Sequence, residues 1–116
     1  MDFKDYNKLY IECYLDYLNY QEKIIHEGIG GSVAKGIWNT IKILLTKIKN
    51  LKIWKQKQIK AVIDGTKNKL KQVTDTKLAQ DIKQKGKEKI IAISKTTENK
   101  LKYLQNQVSN LRQKLK

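Results

Sequence analysis

The sequence predicts an all-α protein built from long amphipathic helices, arranged as a helical hairpin or an extended bundle. Three observations carry that expectation. Proline is absent and only six glycines interrupt 116 residues, so the punctuation a β-rich fold needs is missing. Val, Ile and Thr do not cluster in alternating runs. Apolar residues instead recur at spacings of three, four and seven, the mark of helices with one apolar face.

The first element predicted is a helix over residues 1–27. Tyr6, Tyr10, Cys13, Tyr14, Tyr17 and Ile24 share one face, and Leu9, Ile11, Leu15 and Leu18 widen it. Five of the six tyrosines lie here. A helix this aromatic is expected to dock on the rest of the chain or on a partner, with Tyr6, Tyr10, Tyr14 and Tyr17 as the docking face. Its acids outnumber its bases six to three, a net −3.

Gly28-Ile29-Gly30-Gly31-Ser32 follows. Three glycines in four residues disfavour a helix and predict a hinge at 28–32, with Ser32 as an N-cap for the next helix. The spacing completes neither a dinucleotide-binding nor a P-loop motif. The expected division is therefore an acidic aromatic helix, 1–27, and a basic helical body, 28–116.

In the body, Ile37, Trp38, Ile41, Leu44, Leu45, Ile48 and Leu51 fall within an arc of about 140° on a helical wheel, and Lys35, Lys42, Lys47 and Lys49 lie outside it. This stripe has a ready cover in the tyrosine helix. A basic amphipathic helix with Trp on its apolar side is also the signature of an interfacial membrane helix, so residues 33–54 offer a membrane-active or membrane-surface role as the alternative; a structural helical subunit of a larger particle, docked through the tyrosine face, is the other. Asp64-Gly65-Thr66 is expected to end this helix and cap a third one. Over 66–116 the apolar positions thin out. Ile82, Ile93, Leu104 and Leu115 are spaced by eleven, which suits the narrow seam of a hairpin or coiled coil. Gly86, costing about 1 kcal/mol relative to alanine in a helix interior, is an expected bend.

Charge then narrows the function. The chain has 25 basic residues, of which only Arg112 is arginine, and a formal net charge of +14. From residue 28 onward 22 bases face five acids, a net +17. Such a balance attracts polyanions. Lysine is a mobile point charge, whereas arginine is the planar fork that reads guanine edges. Twenty-four lysines therefore suit neutralisation of a phosphate backbone without sequence reading. The expected partner is nucleic acid, DNA ahead of RNA, and the expected contacts are Lys35, Lys42, Lys47, Lys49, Lys52, Lys55, Lys57, Lys60, Lys67, Lys69 and Lys71.

Catalysis is not expected. His26 is the only histidine and Cys13 the only cysteine; on one helix they stand about 20 Å apart. One His and one Cys build none of the usual metal sites, so no cofactor or metal is expected. No signal peptide is visible, and no apolar stretch approaches the roughly 20 residues of a membrane span.

Ile24-Ile25-His26-Glu27-Gly28 contains Ile-x-Glu followed by a small residue, at the mouth of the glycine stretch. This resembles the cleavage site of the internal head proteins of T-even-type tailed phages, which are substrates of a head-maturation protease. The resemblance implies that Ile25 and Glu27 are recognised, that cutting leaves Gly28 as a new N-terminus, and that the acidic helix first holds the chain on a scaffold or capsid protein. It also implies a basic protein packed with DNA in the virion interior; without it, the expected location is the cytoplasm.

Overall fold

The computed structural model describes residues 3–27 and 32–115, with side chains described for 4–23 and 33–115. The described residues are helical almost throughout and contain no strand. Three helices follow in order: α1 (Phe3–Glu27), α2 (Ser32–Lys71) and α3 (Thr76–Lys114). The all-α expectation holds.

Asp64-Gly65-Thr66 does not end a helix, contrary to the sequence expectation. α2 runs through it to Lys71, because Thr66 satisfies its hydroxyl within the helix by donating to the Val62 carbonyl at 2.8 Å. The stop comes at residues 72–75. There the Gln72 and Val73 amides bond back to the Lys69 and Leu70 carbonyls, and Lys69 and Lys71 stand in the last turn, where cations suit the helix dipole. Asp75 then caps α3: its Oδ1 accepts from the Lys77 amide at 3.0 Å, and its carbonyl accepts from the Ala79 amide at 3.0 Å. A carboxylate at this position satisfies amides that the first turn leaves without intrahelical partners.

The chain folds as two compact units. Unit 1 comprises residues 1–50 and 101–116: α1, the first half of α2 and the end of α3. Its core is Cys13, Ala34, Trp38, Ile41, Leu44, Leu45, Ile48, Leu101 and Val108. The compact units thus do not divide at the charge boundary near residue 28. α1 buries its inner side against the α2 stripe, the Tyr17 ring meeting Trp38 edge-on with centroids 5.3 Å apart.

Unit 2, residues 51–100, is an antiparallel hairpin of the second half of α2 and most of α3. Its helices approach closely at Gly86, which is buried. A methyl group there would lie 2.8 Å from Thr66 Oγ1. α3 is unbroken at Gly86, where the glycine makes room for Thr66.

Candidate nucleic-acid interface

The hairpin of unit 2 concentrates positive charge. Fourteen lysines face five acids in its 50 residues, a net +9. The charge follows from the seam. Buried and half-buried positions of α2 form two columns spaced by seven, Ala34-Ile41-Ile48-Lys55-Val62 and Trp38-Leu45-Lys52-Ile59-Thr66. In α3 the buried column Gly86-Thr97-Val108 is spaced by eleven. So narrow a seam leaves most of each helix circumference to solvent, and lysine fills it.

Of the expected contacts, Lys57, Lys60, Lys67, Lys69 and Lys71 are exposed on the hairpin, and Lys35, Lys42, Lys47 and Lys49 are exposed in unit 1. Lys52 is corrected: it is only 5% exposed and belongs to the packed column. Lys55 is half-buried. The signal was present in the sequence. On the wheel that defines the apolar stripe, at 100° per residue, Lys55 and Lys52 both fall inside the arc, about 30° to either side of its centre. Lys52 buries its ammonium together with its stem. Lys42 also has a second engagement, its Nζ lying 5.6 Å from the centroid of the Tyr17 ring.

The expected list stopped at Lys71 and so missed α3. Lys77, Lys83, Lys85, Lys87, Lys89, Lys95 and Lys100 are all exposed. Two of them meet α2 at a built feature. Lys69, Lys85 and Lys89 line a cleft of about 310 Å³ whose floor includes Gly65, Thr66 and Gly86. Small residues on both helices open the cleft, and three lysines are among the residues that line it. Among the described residues none of these three lysines makes an ion pair.

Arg112 has a different role. Its Nε donates to Asp16 Oδ2 at 2.5 Å, and its Nη1 lies 3.5 Å from Glu12 Oε2. The Asp16 hydrogen bond and the two carboxylates outweigh the cost of partial burial and push the guanidinium further up from its ordinary value. The only arginine therefore clasps the acidic helix.

The tyrosine face is split. Tyr6 and Tyr17 are half-buried, while Tyr10 and Tyr14 are exposed. Tyr10, Cys13, Tyr14, Tyr17, Trp38, Ile41, Lys42 and Leu45 line a small, mostly apolar and partly open pocket of about 140 Å³, and the buried Trp38 Nε1 has no acceptor among the described residues. Burial pushes the Cys13 thiol up to about 11. For the proposed cleavage site, Ile25 and Glu27 belong to the last turn of α1, but their side chains, and Gly28 altogether, lie outside the described residues.

Among the described residues no group of His, Cys, Asp or Glu could hold a metal ion, and no helix is long and apolar enough to cross a membrane. Comparison with family models, curated proteins and solved structures finds no match to this chain, so its function is argued from its own residues.

Proposed function

We propose that this protein binds nucleic acid without sequence specificity, through the lysine surface of the unit 2 hairpin, and that it is not an enzyme. The observation that carries the reading is the convergence of Lys69, Lys85 and Lys89 on one open cleft, within a hairpin whose other lysines are almost all exposed. A cleft lined by one sign of charge concentrates counter-ions, and a phosphodiester backbone is the polymer whose charge spacing suits many mobile ammonium groups at once. Lysine without arginine gives attraction without base reading.

Titration of the intact chain against duplex DNA of two unrelated sequences, across a range of salt, tests this. The expected result is equal affinity for both sequences and a steep linear fall of log K with log salt, about 0.9 per phosphate contacted. Failure to bind at low salt, or a tenfold preference between the duplexes, would contradict it.

The charge division, −3 before residue 28 and +17 after it, supports a finer proposal: that the acidic helix is removed by cutting after Glu27 once the protein is inside a phage head. Cutting there would bare Trp38, Ile41 and Leu45, so the released body would need a new cover for its stripe. An intact mass on protein from its natural source distinguishes a chain starting at Met1 from one starting at Gly28. The membrane-surface alternative is weakened because the stripe it relies on, Trp38 to Ile48, is buried in the intact chain.

A further inference from the structure

α1 carries two heptad seams, and the fold uses one. The inner seam is Tyr6, Leu9, Cys13, Asp16 and Tyr20, all buried or half-buried. The second is Lys4, Lys8, Ile11, Leu15, Leu18 and Glu22, at steps of four, three, four, three and four, and every one of these residues is exposed. Tyr14 borders it, while Tyr10 belongs to the inner tyrosine face. Ile11, Tyr14, Leu15 and Leu18 are each between 42% and 56% exposed. Four large apolar side chains in about two turns form a patch which solvent does not favour and which marks an interaction surface.

The ends of the seam say what covers it. It is basic at its N-terminal end, apolar in the middle and acidic at its C-terminal end. Turned end for end about residue 13, it maps onto itself: Lys4 opposite Glu22, Lys8 opposite Leu18, Ile11 opposite Leu15. A second copy in antiparallel orientation therefore places Ile11 on Leu15, Leu18 against the aliphatic stem of Lys8, and a Lys4–Glu22 ion pair at each end. In parallel orientation Lys4 and Lys8 would face their own copies, and so would Glu22, all like charges. Two-fold contacts use one patch on both partners, which is the symmetry this seam has.

We propose that the protein forms an antiparallel homodimer through the outward seam of α1, with Ile11, Leu15 and Leu18 as its apolar centre and Lys4–Glu22 pairs at both ends. The proposal does not depend on nucleic-acid binding. If that binding also holds, each dimer presents two basic hairpins, and the second attachment to one polymer becomes intramolecular.

Sedimentation equilibrium of the full chain tests the dimer. The expected result is a mass rising with concentration from 13.6 kDa towards twice that value. Leu15→Glu is expected to hold the mass at the monomer value with helicity unchanged, since Leu15 is exposed. Lys4→Glu and Glu22→Lys alone are each expected to weaken the dimer about tenfold, because each creates two like-charge contacts per dimer, and the double variant is expected to recover it. A wild-type chain that stays monomeric across the accessible concentrations would overturn the proposal. A dimer unmoved by Leu15→Glu would overturn the interface, and one unmoved by the single charge reversals would overturn the antiparallel register.

Discussion

Arg112 joins the two chemistries of this chain: it is the only arginine of the basic body, and it is held by the acids of α1. Replacing it with glutamine leaves Asp16 and Glu12 facing a partly buried site without a cation. The expected cost is about 1 to 2 kcal/mol, read as a fall of several degrees in melting temperature. Lysine at this position is expected to recover part of the loss, since a point charge cannot serve both carboxylates as the fork does. Cys13 makes a second residue-scale prediction. Burial raises its thiol from 9.0 to about 11, so the folded state favours the neutral form. The linked stability is complete below pH 9 and is lost as pH rises towards 11. The difference in unfolding free energy between the wild type and Cys13→Ala is expected to shrink across that window; a constant difference would contradict it. Neither effect was legible beforehand. Cys13 was readable as a buried small residue from its company of tyrosines, but that Arg112 meets Asp16 depends on a contact across 96 residues of chain, which local periodicity does not encode.

The helices themselves were largely readable, and their boundaries were not. The 3–4 spacing on α1 and the apolar arc of α2 follow from residue order alone. The end of α2 did not, because Asp64-Gly65-Thr66 has the composition of a stop but Thr66 returns its hydroxyl to Val62, while the stop that operates, at 72–75, contains no glycine. Gly86 read as a defect because a lone sequence shows its propensity cost and hides its partner. Three glycine substitutions and one at Thr66 separate these roles. Gly36→Ala and Gly65→Ala meet open space and are expected to raise stability by about 0.5 to 1 kcal/mol each. Gly86→Ala gains the same propensity but drives a methyl against Thr66, so its net effect is expected to be destabilising, about 1 kcal/mol or more. Thr66→Ala is expected to relieve it, giving non-additive thermal shifts in the double variant. The eleven-residue column was glimpsed at Ile82-Ile93-Leu104, yet the most buried column is Gly86-Thr97-Val108. Thr97 occupies the core at no unsatisfied cost by donating to the Ile93 carbonyl at 2.7 Å, which a rule that places only apolar residues inside overlooks.

At the scale of the molecule, charge is segregated: the five acids of α1 are in one unit, and all five acids of the body fall in the hairpin, where fourteen lysines outnumber them. The net charge and its sign change were legible from composition. The place where the lysines converge was not, since Lys69 and Lys85 become neighbours only when the hairpin closes. The central claim is that this hairpin neutralises a phosphate backbone, and the most direct measurement compares the salt dependence of duplex binding for two matched variants. Replacing Lys69, Lys85 and Lys89 with glutamine is expected to lower the slope of log K against log salt by about 2 to 3 and to weaken binding at least tenfold. Replacing Lys47, Lys49 and Lys102 in unit 1 is expected to change both far less. Equal losses from the two triple variants, or no loss from the first, would contradict the account.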